Sequence, residues 1–515
     1  MNHLILTKKG NRMNLFNKII LCLTLVLMTL SLTNLSRADG HSDRLDNIES
    51  QVQDALIKIK GMEKKTKDVP TIKVGPGLKI KSGKNEVKFG GRIHFDVGMH
   101  DPDAAVACEQ ADTSGGSCFV DGTNFRRLRL AMSGKYASMY YYKVSVDWGA
   151  SAKQGVVNSS DNDAANDMAS VDEAFLGYKL GKNTTLSIGK QKIPLSFAES
   201  TSSNDMPFIE RSTAVDALTD HTLGPKRMSA QLRNWDKKMG YLVETAVHGA
   251  GDTFTTESAH EQVGYTGRAV YAPILQKNHV LHLGYWHDIT EIDQRGSMST
   301  TTGDATVEWD YRIGLNVSDE KGVDADFKST RGLTDMQHYG AEIAYLNGPF
   351  WTAGEWLWGQ INRDILGSDD TNTNTSYEAN AGYVEAGFTI NGQRRYTIKK
   401  GGWKRPKVKN PVEKGGNGVM EIGVRHTRIS LNGMADKETG SMNAKGSQFS
   451  TDLMFNWQLN NNNLIKVNYI MADLNCQSVS NITGQGCGTT VNGVVNPDDG
   501  ETRVNALGIR FQSNW

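Results

Sequence analysis

The chain has 515 residues, a formal net charge of zero, 38% hydrophobic residues and a mean hydropathy of −0.46. These values exclude a protein with several membrane-spanning helices, because each helix would need an apolar run of about 20 residues. They also exclude a fully disordered chain, because 15 Phe, 16 Tyr and 10 Trp are available to build a core. The 53 Gly and only 11 Pro favour long paired strands.

The first 38 residues have the composition of an export signal. They carry five bases and no acid, and an apolar run at 19–32 precedes Ser36-Arg37-Ala38. A basic start, a short apolar run and small residues around a cleavage point are typical of a secretory signal peptide. We therefore predict a signal peptide over 1–38, with an N-terminal membrane anchor as the alternative.

Four cysteines follow the predicted signal peptide in two close pairs. Cys108 lies near Cys118, and Cys476 lies near Cys487. Both pairs lie in polar stretches, so local disulfides within loops are the simplest arrangement in an oxidising compartment. A zinc site is the alternative, although neither pair has a CxxC spacing or a nearby histidine.

A heptad pattern occupies the segment 39–70. Apolar residues recur there at alternating spacings of three and four, which predicts a short coiled-coil helix. We interpret it as a periplasmic clamp between subunits, and a helix packed on its own domain is the alternative. Residues 71–85 are expected to be a linker. The apolar positions are Leu45, Ile48, Val52, Ala55, Ile59 and Met62.

From residue 86 to the C-terminus the apolar pattern has a period of two. Phe89, Ile93 and Phe95 share one face of the first such segment, whereas Arg92 and His94 share the other. Sixteen segments of this kind occur, and the connections between them alternate between short and long. This pattern is typical of an outer-membrane barrel. The sequence therefore predicts an all-β fold, a 16-stranded antiparallel transmembrane β-barrel over 86–515 with a short N-terminal coiled-coil helix.

Several short motifs are similar to those of the phosphate-selective porin O and P family. The resemblance covers roughly 86–515 and implies a homotrimer of 16-stranded barrels, with a periplasmic coiled coil and inward-folded segments that narrow each pore. The motifs that carry it are Phe125–Leu130, Asp172–Tyr178, Gly189–Pro194, Thr201–Asn204, Phe208–Ser212, Gly382–Ala386, Ile390–Tyr396 and Arg503–Gln512.

The resemblance also implies a set of pore-lining residues. Ser202, Ser203 and Arg211 would line a constriction on the third long connection, where hydroxyl groups and a guanidinium could replace part of an anion's hydration shell. Asp172 matches an acidic position near the anion site. Strand alternation instead directs Glu173 inward, and a bulge would reverse that assignment.

Glu199 departs from the family pattern. Members taken to be phosphate-selective carry a lysine at the matching position, four residues before Ser203. An acid in a constriction disfavours anions and favours cations, so the resemblance supports the architecture better than it supports phosphate selectivity.

A concentrated positive charge lies at 391–414, where nine bases accompany one acid. By strand parity this segment lies at the periplasmic mouth, and the family implies that it folds into the barrel. It would draw anions inward, or alternatively form a solvated turn that contacts partners or lipid phosphates. Its first six bases are Arg394, Arg395, Lys399, Lys400, Lys404 and Arg405. Further bases along the predicted inner wall are Arg92, Arg127, Arg129, Lys143, Arg227 and Arg233.

These features predict a passive outer-membrane channel for small anions, with phosphate as a candidate. A weakly selective porin, a porin for another small solute, and a plugged barrel acting as a surface receptor or adhesin are the alternatives. A barrel hydrolase is disfavoured because no GxSxG turn is present. We expect a homotrimer in contact with outer-membrane lipid and lipopolysaccharide, without cofactor, metal or nucleic acid.

Overall fold

The computed structural model comprises two compact units, Met1–Val69 and Pro70–Trp515. In the first unit the described residues are helical, within the predicted coiled-coil segment. The structure describes residues 47, 49–54, 56–57, 70–102, 119–149, 169–219, 224–249, 263–291, 306–309, 311–318, 322–323, 326–328, 333–364, 376–431, 447–475, 490–491, 494–495 and 501–515.

Several predictions concern residues outside the described ranges. The predicted signal peptide 1–38 and most of the heptad positions lie there. So do Cys108, Cys118, Cys476 and Cys487, the four cysteines assigned to disulfides. The described part of the chain therefore contains no disulfide. The pairing of Cys108 with Cys118 and that of Cys476 with Cys487 are not shown by the structure, and both stay predictions.

Sixteen long strands form the wall of a barrel. They are β3 (Asn85–Pro102), β4 (Gly122–Tyr136), β5 (Tyr140–Asp147), β6 (Ser170–Lys179), β7 (Thr184–Lys192), β8 (Lys226–Asp236), β9 (Tyr241–Gly249), β10 (Val263–Leu275), β11 (His279–Glu291), β14 (Leu333–Asn347), β15 (Phe350–Arg363), β16 (Ser376–Ile390), β19 (Val419–Ser430), β20 (Ser447–Gln458), β21 (Asn463–Asn475) and β24 (Glu501–Asn514).

Shorter elements lie before, between and inside these strands. They are β1 (Thr71–Val74), β2 (Leu78–Ser82), α1 (Phe197–Ser200), α2 (Thr213–Thr219), β12 (Thr306–Glu308), β13 (Asp326–Lys328), β17 (Arg395–Thr397), β18 (Gly402–Lys404), a 3-10 turn (Val412–Lys414), β22 (Thr490–Val491) and β23 (Val494–Val495). The hairpin β1–β2, within the predicted linker, extends the sheet by pairing Leu78 with Phe89 of β3.

The barrel closes between its first and last strands. Every wall strand pairs antiparallel with the next along the chain, and β24 pairs with β3, with Ile509 opposite Val97 and Phe511 opposite Phe95. Closure leaves no unpaired edge among the wall strands, which a lipid bilayer requires. The predicted 16-stranded antiparallel barrel is therefore confirmed.

Along the wall strands, polar side chains point into the barrel and apolar side chains point outward, which is the reverse of the arrangement in a soluble protein. On β19, Glu421 and Arg425 are buried inside the barrel, whereas Ile422 and Val424 are exposed on its outside. A polar interior and an apolar exterior suit a wall that faces lipid. Among the described residues, no helix is both long and apolar enough to cross a membrane.

Two connections fold back into the barrel. The third long connection, 193–225, carries α1 and α2, and the connection 391–418 at the opposite, short-turn end carries β17 and β18. Helix α2 packs against the inner wall, where Leu218 and Val215 join one apolar cluster with Trp309 of a further long connection. These segments fill part of the barrel and so determine where an open path can run.

Candidate functional site

The two inward segments contact each other inside the barrel. The Trp403 amide donates to the Thr201 hydroxyl over 3.0 Å, and the rings of Phe197 and Trp403 meet edge to face at 5.2 Å. Arg268 of β10 donates to the carbonyls of Lys400 and Gly401, over 3.0 and 2.8 Å. The segment 391–418 therefore folds inward.

Opposite these segments, bases and acids of the inner wall form ion pairs. Arg129 contacts Asp147 at 2.5 Å and Asp172 at 2.9 Å, and Lys143 pairs with Glu173. Lys226 of β8 also pairs with Asp172. The positive charge that the sequence places along this wall is therefore largely matched by carboxylates.

A bulge explains why both neighbouring acids face the lumen. Ser145 of β5 lies opposite Glu173, but Val146 lies opposite Val171, so Asp172 is the extra residue of β6. Its carboxylate accepts from the Ser145 hydroxyl over 3.1 Å. The bulge resolves the parity that alternation alone left open, because it directs the side chains of Asp172 and Glu173 to the same side.

Arg92 of β3 makes a different contact from the other wall bases. Its guanidinium donates to the Ser203 hydroxyl over 2.6 Å, and the neighbouring His94 ring nitrogen lies 3.1 Å from the Asn204 amide oxygen. Ser203 is buried, whereas Ser202 is partly exposed. The tip of the third long connection is thus held against β3 by polar contacts.

Glu199 does not present a negative charge to the lumen. Its side chain is only 1% exposed, and it pairs with Lys192 and with Arg211, the latter at 3.0 Å. Burial alone would raise the pKa of Glu199, but the two bases lower it to about 2. The acid is therefore ionised and neutralised by its partners, and the expected repulsion of anions by Glu199 is removed.

Three of the predicted lining arginines are buried in contacts that anchor the interior. Arg211 also donates to the Ala198 carbonyl over 3.1 Å. Arg127 lies 3.7 Å from Glu210, and Arg227 lies 3.5 Å from Asp288. These side chains hold loop and wall together and do not form an accessible anion ladder. Arg233, which pairs with Glu244, remains about a quarter exposed.

The basic segment divides into anchoring and accessible side chains. Arg394 is buried against Glu421 at 2.7 Å, and Arg405 donates to the Asn461 carbonyl over 2.7 Å. Of the remaining four predicted bases, Arg395, Lys399 and Lys400 are exposed, and Lys404 is partly exposed. Of these, Lys399 stacks over the Trp235 ring at 4.5 Å, and Lys404 lies 3.8 Å from Asp205.

An open cavity of about 470 Å³ lies beside β3–β6 at the short-turn end. Bases outnumber acids along its lining, so the accessible space has a positive character. The charged residues of that lining are Lys79, Lys88, Arg92, Arg129, Lys143 and Asp172. Among the described residues, no group of three His, Cys, Asp or Glu side chains could hold a metal ion.

Sequence reasoning missed several anchors of the third long connection. The Glu210 carboxylate forms ion pairs with Arg126, at 3.0 Å, and with Arg510. Its backbone carbonyl accepts a hydrogen bond from Arg425 over 2.9 Å. Lys192 was part of a family motif but was not assigned to the site. Strand alternation shows that Arg510 and Arg425 point inward, but it gives no information on which loop carbonyls they reach.

A closed 16-stranded barrel with an apolar exterior, a charged interior and inward-folded connections defines an outer-membrane porin. Residues 87–482 match the family described as Phosphate-selective porin O and P. The chain belongs to that family, which confirms the resemblance seen in its motifs and supports an outer-membrane location.

Other known proteins are similar over most of the chain. An uncharacterized protein of Caulobacter vibrioides is 24% identical over 442 residues, which cover 84% of this chain and 75% of that protein. Among solved structures, an anion-selective porin from Comamonas acidovorans has a TM-score of 0.47 at 11% identity, over 84% of this chain and all of that one. The outer-membrane protein OmpT of Vibrio cholerae has a TM-score of 0.45 at 12% identity, over 84% and 99%.

Proposed function

We propose that the protein is a passive diffusion channel for small anions, with phosphate among its permeants, and that its selectivity is modest. The observation that carries this proposal is the distribution of paired and unpaired charge. The acids Asp172, Glu173 and Glu199 are each matched by bases. Within the described part of the chain, Arg92 and Lys400 enter no ion pair, so they supply excess positive charge.

A small excess of lining charge concentrates counter-ions without binding them tightly. Ions would enter by diffusion and leave without energy input. The extensive pairing along the wall favours a weakly selective channel over a strongly selective one, so a general porin remains the second candidate.

The same proposal covers assembly, export and the absence of catalysis. We propose a homotrimer that is exported by a cleaved signal peptide over 1–38 and clamped by the coiled-coil segment 39–70. A catalytic role receives no support from the buried His248, which lies 2.8 Å from Asp288. The nearby Thr266 hydroxyl is 3% exposed and donates to Asp288 over 2.5 Å, so a substrate could not reach it.

The decisive experiment is planar-bilayer recording of the purified protein across a KCl gradient, followed by titration with phosphate. We expect current steps, an anion-leaning reversal potential and a reduction of current by phosphate. A reversal potential on the cation side would contradict the proposed selectivity and leave the porin intact. Absence of any current step would instead favour the plugged receptor or adhesin.

A further inference from the structure

Three consecutive short turns form a continuous strip along the outer rim of the barrel. They join β4 to β5, β6 to β7 and β8 to β9. The Lys179 amide donates to the Met139 carbonyl over 3.0 Å, which links the first turn to the second, and the Trp235 amide donates to the Asn183 carbonyl over 3.1 Å, which links the second to the third. Side chains on these turns therefore belong to one surface.

The strip concentrates positive charge. Three lysines lie on its turns, whereas the other short turns between wall strands, 276–278, 348–349 and 459–462, carry only Lys277. The one acid on the strip, Asp236, accepts hydrogen bonds from the amides of Lys238 and Met239, over 2.6 and 2.9 Å, and so caps its own turn. The three lysines are Lys182, Lys237 and Lys238. Lys135 and Lys179 lie on the strands beside the turns and share the lumen-facing parity of Arg129 and Glu173, so they do not belong to the strip.

Large apolar and aromatic side chains accompany these lysines on the outside of the barrel. Tyr136 and Tyr140 have ring centroids 6.2 Å apart, and Tyr140 and Tyr178 are 5.2 Å apart. Beyond them, Leu180 is 56% exposed and Met239 is 68% exposed at the turn tips. Aromatic rings at the outside of a barrel mark the boundary between hydrocarbon and headgroups.

Outward polar groups mark the same boundary. The Tyr241 hydroxyl donates to the Asn234 amide oxygen over 2.8 Å, and the Asn234 amide donates to Thr184 over 2.7 Å. A polar cluster on the outer wall is expected at the depth of the headgroups, because the hydrocarbon core contains no water to satisfy its remaining hydrogen-bonding groups.

We propose that this strip binds the headgroup of an anionic phospholipid in the leaflet that faces the short turns. The lysines would contact the phosphate and any further headgroup charge. Tyr140, Leu180 and Met239 would pack against the acyl chains just above. A soluble polyanion would use the lysines but would gain nothing from the exposed apolar side chains, so the combination favours a lipid.

Native mass spectrometry in mixed micelles tests this assignment, with phosphatidylglycerol and phosphatidylcholine as the competing probes. The test variant carries Lys182→Gln, Lys237→Gln and Lys238→Gln. Lys179 is kept, because its ammonium donates to the Ser138 carbonyl and supports the turn. The matched control loses three exposed lysines elsewhere at this end of the barrel, through Lys277→Gln, Lys407→Gln and Lys409→Gln.

We expect the wild type to bind phosphatidylglycerol in preference to phosphatidylcholine. In the test variant the ratio of the two bound lipids should fall at least tenfold. One lysine near an anionic membrane surface contributes about a factor of five. The control should retain the preference, and bilayer conductance should be unchanged in the test variant because the strip lies outside the lumen. Equal losses in both variants, no preference in the wild type, or displacement of the lipid by inorganic phosphate would overturn the proposal.

Discussion

Burial decides the role of each charged residue in this barrel. Glu199 occupies a position where the family pattern has a lysine, yet it lies between two bases and is shielded from the lumen. Arg92, by contrast, contacts only neutral groups among its described hydrogen-bond partners. Residue type alone is therefore a poor guide to selectivity, because a paired charge contributes little to the field in the lumen.

Replacing Glu199 with glutamine should destabilise the interior and increase anion preference together. Lys192 and Arg211 would lose their carboxylate partner, and breaking a buried ion pair costs about 3–5 kcal/mol. Lys192 would then add an unmatched charge near the third long connection. The free energy of unfolding in detergent and the reversal potential measure the two effects.

Glu173→Gln provides the comparison for that variant, because Glu173 pairs with Lys143 but is 19% exposed. We expect a shift of reversal potential with a smaller loss of stability. If Glu199→Gln left the reversal potential unchanged, Lys192 would have no influence on the permeating ions.

Lys400 should make the anion preference depend on pH. Enclosure by the barrel, followed by repulsion from Arg233 and Lys404, lowers the pKa of Lys400 to about 8. The side chain is therefore charged at neutral pH and loses its charge as the pH rises through 8. Reversal potentials recorded from pH 6 to pH 9.5 should show anion preference falling across that range.

Lys400→Arg should reduce this pH dependence, because arginine stays charged throughout. Lys407→Arg is the matched control, since Lys407 is exposed on the same segment. A fall in anion preference of the same size in Lys400→Arg as in the wild type would assign the titration to another group.

At the scale of elements, the third long connection is held by arginines that reach in from the wall. Arg510 of β24 donates to both carboxylate oxygens of Asp96 at 2.6 Å and also to the Ile209 carbonyl. The connection therefore has a fixed position, and the width of the open path depends on these contacts as much as on the wall itself.

Arg510→Met should release part of this connection. We expect a lower unfolding temperature and larger fluctuations of the open-channel current, because Asp96 and Glu210 would be left buried without this partner. Arg503→Met on the same strand is the matched control. Its guanidinium pairs with Asp473 at 2.7 Å, but both side chains are 55% exposed, so the loss should stay below about 1 kcal/mol. Equal effects of the two substitutions would contradict the anchoring role.

The elements themselves were predictable from the sequence, whereas the interior was not. Period-two alternation located all 16 wall strands, since each strand has one face in lipid and one in the lumen. The bulge at Asp172, the burial of Glu199 and the anchoring by Arg510 depend on contacts between residues far apart in sequence. Strand alternation shows which side chains point inward, but it does not show which of several inward bases meets which carboxylate.

The hairpin β1–β2 escaped prediction for a different reason. Its strands have four and five residues, and the first is exposed throughout. Such short strands leave no extended alternation, and Gly75-Pro76-Gly77 suggested a linker. Pairing with the start of β3 stabilises the hairpin.

At the scale of the whole molecule, the proposed trimer depends on the heptad segment before the barrel. Replacing Ile48 and Val52 with aspartate would place two charges on the predicted seam of each helix. Buried charges without partners are strongly unfavourable between helices. We expect the trimer to dissociate at lower detergent or denaturant concentration than the wild type, as measured by native mass spectrometry.

Ser50→Asp with Gln53→Asp is the control for that substitution. Both residues are exposed and helical, and their heptad positions lie on the side of the helix away from the predicted seam. The control adds the same charge to the same helix and should leave assembly intact. Trimers of equal stability in both variants would assign assembly to the barrel walls, since a three-heptad helix is marginal on its own.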